Sequence, residues 1–313
     1  MQMLHLHSYL KLSLVLLLIS SFTLYLSCNH SDKNDKDANS KALKSTTDNT
    51  CMVWPGDADN NGVVEIADIL SIGLMYGQKG NKRKSANLNY KGQIADKWNK
   101  SLLNGADIAH TDCNGDGTIN SADTKAIVQN MNKPPHKNNS GPFPITGKTS
   151  LTLNVVSKTP CDKGKGRCSK LEIDMNVNNL DTLYGASFAL KYDNTRIDSI
   201  ISTKLNSTCL DKKGNDFISI LKHDNDKNEL YVGLTSINPE AGDVPCGSLG
   251  NITMEIMEFD DDDEDKDKLL FELGNTSSNL VSSLKDTIIT FSSIDKLNIN
   301  AVSYTHLRAH ETS

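Results

Sequence analysis

The pattern of apolar and polar residues divides the chain into parts with different expected structures. An apolar run at residues 12–26 is followed by a polar stretch, residues 29–50, that has no apolar period. Helix-like runs then occupy residues 69–76 and 124–131, where apolar side chains recur at helical spacing. From residue 149 onward, short runs alternate apolar and polar side chains as strands do. The pattern predicts a small helical domain followed by an all-β domain.

The second half of the chain is predicted to be a β-sandwich or jelly-roll over residues 149–300. About nine short runs have strand character, and Gly, Asn, Asp or Pro separates most of them. They cover residues 151–156, 171–177, 184–192, 197–201, 217–221, 230–234, 252–259, 269–273 and 288–291. Residues 134–148 are rich in Pro, Gly and Asn and are predicted to be a linker.

Two twelve-residue segments have the spacing of calcium-binding loops: 57–68 (DADNNGVVEIAD) and 112–123 (DCNGDGTINSAD). Each carries oxygen-bearing side chains at loop positions 1, 3, 5, 9 and 12 and glycine at position 6, as a shell of six to eight oxygens around Ca²⁺ requires. Position 7 would contribute a backbone carbonyl, and position 9 can act through water. The predicted ligands are Asp57, Asp59, Asn61, Val63, Glu65 and Asp68 in the first loop, and Asp112, Asn114, Asp116, Thr118, Asn120 and Asp123 in the second. The sequence therefore predicts two Ca²⁺ sites, with solvated polar turns as the alternative.

A helix is predicted after each loop but not before it. Pro55 and Gly56 precede the first loop and oppose a helix there. In this tandem loop-then-helix arrangement, residues 51–133 resemble a dockerin module of the longer kind found in Bacteroidota. The resemblance implies calcium-dependent docking onto a partner domain. Two departures are the insert at residues 79–110 and the pairs Ile66-Ala67 and Ser121-Ala122, which differ from the matched polar pairs of well-known cohesin binders.

The all-β half resembles a cohesin domain from residue 149 to about residue 300. The segments that carry this resemblance are 184–193 (YGASFALKYD), 196–200, 230–234 and 247–252. It implies a sandwich that binds dockerins. Carbohydrate-binding and immunoglobulin-like sandwiches are the alternatives that sequence separates poorly.

The amino terminus predicts export. The apolar run of residues 12–26 is short for a membrane-spanning helix and suits a signal-peptide core. Ser27-Cys28 resembles a lipoprotein cleavage site, which implies a signal peptide over residues 1–27, lipidation of Cys28 and a tether over residues 28–50. We expect a surface-exposed outer-membrane lipoprotein, anchored in the membrane through lipid alone, with plain secretion as the alternative.

The seven cysteines agree with export, because an even number remains once Cys28 is set aside. One proposed pairing joins Cys51 to Cys113, Cys161 to Cys168 and Cys209 to Cys246, among fifteen possible pairings. The alternative is that some remain thiols.

In the second half no Ser/His/Asp signature, HExxH motif or carboxylate pair can be assigned, and the net charge of −6 disfavours nucleic acid as a partner. The acidic run at residues 260–267 is interpreted as a solvated loop, with a third calcium site as the alternative. Residues 301–313 resemble a translated sequencing-adapter tail and are left out of the fold prediction.

The sequence therefore predicts a non-catalytic, calcium-dependent docking or scaffolding lipoprotein that is associated with polysaccharide-degrading assemblies. Its expected partners are cohesin or dockerin domains of other proteins, or this chain's own two domains, and polysaccharide is a further candidate. The alternative function is a carbohydrate-binding or adhesive surface protein that uses the β-sandwich.

Overall fold

The computed structural model describes residues 49–137, 140–161, 168–178, 180, 182–205, 210, 217–238, 248–257, 268–269, 271–274, 280–284, 287–294 and 297–298. The predictions for the signal peptide, Cys28, Cys209, Cys246, the acidic run and the terminal tail lie outside these residues, as does the tether except for its residues 49–50. Within the described part, no helix is both long and apolar enough to cross a membrane.

The first domain is built around two short helices. α1 (Asp68–Leu74) and α2 (Thr124–Asn130) each follow one of the twelve-residue loops, as the apolar spacing predicts. Single turns of 3-10 helix lie at Ile108–His110 and Ser121–Asp123. An antiparallel pair of strands, β1 (Thr50–Val53) and β2 (Gln93–Asp96), was not anticipated from the sequence.

The second domain is all-β. Its strands are β3 (Ile145–Pro160), β4 (Cys168–Val177), β5 (Gly185–Tyr192), β6 (Ile197–Leu205), β7 (Phe217–Asp224), β8 (Glu229–Ser236), β9 (Ser248–Met257), β10 (Lys268–Leu269), β11 (Phe271–Leu273), β12 (Leu280–Leu284), β13 (Thr287–Ile294) and β14 (Leu297–Asn298). Each of the nine predicted runs overlaps a strand. β3 begins at Ile145, inside the predicted linker, and β12 and β14 were missed.

Most of these strands form one ten-stranded sheet in the order β6-β9-β4-β3-β13-β12-β5-β8-β7, with β11 also paired to β5. Apart from the parallel pairing of β13 with β3, the neighbours that run through this order are antiparallel. Apolar side chains from both halves of the sheet meet in a single buried cluster. Phe188 of β5 and Phe291 of β13 pack edge to face there, with ring centroids 5.6 Å apart. The sheet therefore curves over one core, as in a sandwich.

Candidate functional site

Three carboxyl groups of the first loop converge in the structure. Oxygen atoms of Asp57, Asp59 and Asp68 lie within 4.8 Å of one another, and all three side chains are buried. They stand at loop positions 1, 3 and 12, which the sequence pattern predicts to point inward. Among the described residues, no other group of three acidic, His or Cys side chains meets so closely.

The two loops share a main-chain framework that starts at their glycines. The N–H of Gly62 donates to Asp57 and that of Gly117 donates to Asp112, both at 3.0 Å. The φ angles of these glycines, +95° and +82°, lie in the left-handed region that residues with a β-carbon rarely adopt. Glycine at position 6 is therefore required by the turn that wraps the loop around its first carboxyl group.

The carboxyl groups at position 12 close both loops in the same way. Asp68 accepts a hydrogen bond from the N–H of Glu65 and Asp123 accepts one from the N–H of Asn120, both at 2.8 Å. The other oxygen of Asp123 accepts from the N–H of Asn114 at 3.0 Å. The other oxygen of Asp68 likewise accepts from the N–H of Asp59, which stands at the same loop position as Asn114. Asp at position 12 thus holds the two ends of each loop together.

The middle positions repeat as well. The side chain at position 3 accepts from the N–H at position 5, and the side chain at position 5 accepts from the N–H at position 7, over 2.8–2.9 Å in both loops. The residues concerned are Asp59, Asn61 and Val63 in the first loop and Asn114, Asp116 and Thr118 in the second. Each of the side chains at positions 3 and 5 therefore has one oxygen hydrogen-bonded to the backbone of its own loop.

The loops differ in acidity and burial. Glu65 adds a buried carboxyl group at position 9 of the first loop, where the second loop has Asn120. The second loop has buried carboxyl groups at Asp112 and Asp123, whereas Asp116 is exposed. The first loop therefore buries more carboxyl groups than the second.

Burial makes these carboxyl groups hard to ionise in the absence of a cation. Desolvation, followed by the negative charge of Asp57, raises the pKa of Asp59 well above its usual range. Desolvation and then the charge of Asp59 raise the pKa of Asp68 in the same way. In the second loop, burial raises the pKa of Asp123 to about 7. A bound divalent cation would reverse this penalty by neutralising the carboxylates.

Arg83 and His136, which the sequence analysis did not single out, each contact one of the loops. The Arg83 guanidinium donates to the backbone carbonyls of Asp112 and Cys113, both at 2.7 Å. Nε2 of His136 lies 2.7 Å from a carboxyl oxygen of Asp57, and its ring stacks on Trp54 with a centroid distance of 4.3 Å. Both residues come from segments interpreted as insert or linker, so no local pattern marked them.

His110 lies buried between these elements. Neither of its ring nitrogens has a hydrogen-bond partner among the described residues. Burial lowers its pKa to about 4, so the ring is neutral at neutral pH. The sequence analysis assigned it no role.

The described cysteines follow the proposed pairing in part. Cys161 and Cys168 form a disulfide, which confirms that pair. The proposed bridge between Cys51 and Cys113 is wrong, because no disulfide joins them. Cys51 packs with Val53 of β1, whereas Cys113 lies in a separate apolar cluster and its Sγ donates to the carbonyl of His110 at 3.6 Å.

Helix α1 lies against the outer face of the all-β domain. It contacts β5, β7 and β8, and every residue from Asp68 to Leu74 is buried. Successive β8 side chains explain this contact, because alternate residues point to opposite faces of a strand. Val232 and Leu234 join the core of the sandwich, whereas Tyr231 joins the apolar cluster of the first domain.

Glycines make room for the helix on this face. A β-carbon at Gly233 of β8 would lie 2.9 Å from the Ile66 side chain and 3.0 Å from that of Ile69. A β-carbon at Gly185 of β5 would lie 2.8 Å from Leu70. We call this surface, formed by β5, β7 and β8, the helix-receiving face.

The comparisons with known proteins concern the fold. No protein-family model matches the sequence, and no curated protein matches it. Among solved structures, the chain is similar to the second type II cohesin module of the cellulosomal adaptor ScaA scaffoldin of Acetivibrio cellulolyticus (10% identity, 49% of this chain and 98% of that chain, TM-score 0.36). It is also similar to type II cohesin A11 of Bacteroides cellulosolvens (16% identity, 48% and 96% covered, TM-score 0.35). A third similar structure comes from a type I cohesin–dockerin complex of Clostridium thermocellum (15% identity, 49% and 94% covered, TM-score 0.35).

Proposed function

We propose that this protein is a non-catalytic docking protein whose first domain binds calcium and presents a helix to a cohesin-like sheet. The observation that carries the proposal is the position of Asp68. It supplies a carboxyl group to the first loop and is also the first residue of α1, the helix buried on the helix-receiving face. Asp68 therefore belongs both to the proposed metal site and to the helix that contacts the sheet.

The donor sets suit calcium in both loops. Calcium prefers oxygen ligands from carboxylates, amide side chains and backbone carbonyls. In the first loop Asp57, Asp59, Asn61, the carbonyl of Val63, Glu65 and Asp68 would hold the ion. In the second loop Asp112, Asn114, Asp116, the carbonyl of Thr118, Asn120 and Asp123 would do so. Bound calcium would neutralise the buried carboxylates and stabilise the loops that lead into α1 and α2.

The setting of this function is proposed from the sequence resemblance. Lipidation of Cys28 would attach the chain to the outer membrane, with both domains exposed at the cell surface. Partners would be cohesin or dockerin domains, in assemblies that degrade polysaccharide.

Isothermal titration of the full chain with Ca²⁺ tests the proposal. We expect two sites per chain, with affinities in the range of roughly 10⁻⁴–10⁻³ M or tighter. Asp57→Asn should remove one site and Asp112→Asn the other. Asp96→Asn, which changes an exposed carboxylate outside the loops, should leave both. A titration without heat, and variants that bind as the wild type does, would reject the proposal.

Carbohydrate binding by the β domain is the second candidate. A polar cavity of about 580 Å³ opens beside the end of β5. It is lined by Tyr192 and His223 together with the side chains of Asn194, Asp198, Asn225 and Asn228. Amide and carboxylate groups around a ring can hydrogen-bond sugar hydroxyls. A glycan array of the wild type beside Asn225→Ala tests this reading, and equal signals from both proteins would reject the cavity as the site.

A further inference from the structure

The two loop-helix units differ on one face of their helices. When the loops are aligned by position, Ile66, Ile69, Leu70 and Gly73 of the first unit correspond to Ser121, Thr124, Lys125 and Val128 of the second. The four residues of the first unit are buried. Ser121, Lys125 and Val128 are exposed, with 43% of the Val128 surface accessible.

The opposite faces of the two units are alike. Val64 and Ile72 of the first unit correspond to Ile119 and Ile127 of the second, and all four side chains are at most 1% exposed. These four positions belong to one apolar cluster, which also includes residues of the sheet such as Tyr231. The two units are therefore alike at these positions and differ at the four positions that in the first unit are buried.

The apolar face of the first unit matches the helix-receiving face in shape. The Ile66, Ile69 and Leu70 side chains fill the space that glycines leave on β5 and β8, and Gly73 lets α1 approach Thr235. The second unit has Lys125 where the first has Leu70, and Val128 where the first has Gly73. A lysine there would have to lose its hydration, and a valine would collide with the strand.

The second unit meets the sheet through a few polar contacts, among them a hydrogen bond that the Tyr231 hydroxyl of β8 donates to Asn132 at 3.4 Å. Lys222 of β7 donates to the main-chain carbonyl of Val128 at 3.5 Å, and the Asn132 amide donates to Asp224 at 3.2 Å. The last two contacts involve polar groups at exposed positions, so they add little to the burial of α2. They are compatible with many side chains at positions 125 and 128.

The segment between the domains is bound to the first loop. The backbone N–H of His136 donates to the carbonyl of Gly62 at 2.9 Å, and the Asn60 amide donates to Ser140 at 3.0 Å. Phe143 is 3% exposed and lies in the same apolar cluster as Ile66. The chain thus leads directly from the calcium-loop domain into β3 without a free spacer among its described residues.

We infer that the docking partner of the first unit is the helix-receiving face of the same chain, and that docking occurs in one orientation because the second unit lacks the residues for it. This inference rests on the docking role proposed above and names its partner. An outside protein with a similar helix would have to displace α1 before it could reach β5 and β8. The protein is then a self-docked monomer rather than a scaffold with an open face.

The test exchanges residues between the units in the full chain. The variant Leu70→Lys/Gly73→Val gives the first unit the residues of the second. Gly141→Val is the matched control, because a β-carbon at Gly141 would meet no atom within 4 Å. Small-angle scattering, hydrogen exchange of residues 66–76, light scattering and calcium titration are measured on each protein. Circular dichroism reports whether each variant folds.

We expect the exchanged variant to remain folded and monomeric, to have a larger radius of gyration, and to exchange residues 66–76 at least about tenfold faster than wild type. The control should match wild type. A second variant, Gly73→Ala with Thr235→Gly, should restore slow exchange relative to Gly73→Ala alone.

Three results would overturn the inference. The first is a wild-type protein that is a dimer, since docking would then occur between copies. The second is slow exchange of residues 66–76 in the exchanged variant. The third is an exchanged variant that is unfolded while Gly73→Ala with Thr235→Gly behaves like Gly73→Ala alone. A wild-type protein that is docked but does not bind calcium would reject the calcium function and would be consistent with self-docking.

Discussion

Gly73 of α1 lies directly against Thr235 of β8, so closely that a β-carbon at Gly73 would overlap the threonine side chain and approach its Cβ to 2.7 Å. The three atoms nearest to that β-carbon all belong to Thr235. Glycine within a seven-residue helix, here next to its last residue, is unfavourable for the helix itself. Its presence is explained by the approach of the two domains.

Because of this contact, a substitution that favours the helix should lower the stability of the protein. Gly73→Ala should raise intrinsic helix stability by about 1 kcal/mol. Overlap with Thr235 should cost about 1–3 kcal/mol, so the free energy of unfolding should fall. Urea denaturation measures it, with Gly141→Ala as the control. A stabilised Gly73→Ala protein would show that α1 does not rest on β8.

The metal-free protein should become less stable as pH rises. The carboxyl groups of Asp59, Asp68 and Asp123 have raised pKa values in the folded state, so the folded protein holds protons that the unfolded chain releases near pH 4. Between pH 4 and the pKa of about 7 for Asp123, these three carboxyl groups therefore lower the stability of the metal-free protein. Buried His110, whose pKa is lowered to about 4, acts in the opposite direction and offsets part of the fall.

Calcium should remove most of this pH dependence, because it replaces the protons that the metal-free loops hold. Thermal melts in EDTA and in calcium at pH 5, 6, 7 and 8 measure the effect. Metal-free melting temperatures that climb between pH 5 and pH 8 would contradict the predicted sign.

The insert packs on the second loop at Gly117. Both Gly117 and Gly77 have left-handed φ angles, +82° and +80°. A β-carbon at Gly117 would lie 2.8 Å from the Gly80 carbonyl oxygen, whereas one at Gly77 would meet nothing within 4 Å.

Gly77→Ala should thus cost only the left-handed backbone penalty, about 1 kcal/mol, and Gly117→Ala should cost more by about 1–3 kcal/mol. The extra cost should appear in thermal stability and in the affinity of the second calcium site. Equal effects from the two substitutions would show that the insert does not hold the loop.

Arg83 should be important for the second loop alone. Replacing it with methionine keeps much of the side-chain volume but leaves the carbonyls of Asp112 and Cys113 without their donor, at a cost of about 1–3 kcal/mol. Chemical denaturation should detect the loss, with the exposed Lys84→Met as control. Calcium titration of the same variant should change the second site and leave the first as it is. A change in the first site would show that the loops are coupled through Arg83.

Cys113 should resist alkylation in the folded protein. Burial raises its thiol pKa well above the usual range, so little nucleophilic thiolate forms. Mass spectrometry after iodoacetamide treatment should find Cys113 modified only in denaturant. Rapid modification of Cys113 in the native state would contradict its buried position.

Local sequence patterns predicted the parts of this protein that depend on neighbouring residues. The loop framework closes within twelve residues, so alternating oxygen donors and a glycine were enough to anticipate Asp57, Asp68 and the matching residues of the second loop. The strands were found in the same way, because alternation of apolar residues reports one buried face. Strand β12 escaped notice because its run, LVSSL, is short and half polar.

The tertiary structure decided what lies opposite those local elements. Arg83 reaches a carbonyl 29 residues away, and Gly73 meets a strand of the other domain. The β5 segment is buried on nearly every residue, although only one of its faces belongs to the sandwich core. The sequence by itself determined where the oxygen-bearing loops, the helices and the strands occur, because hydrogen bonds and periodicity act over a few residues. The packing of α1 on β5, β7 and β8 depends on the shapes of segments that are far apart in the chain. The local apolar pattern of the sequence does not contain that information.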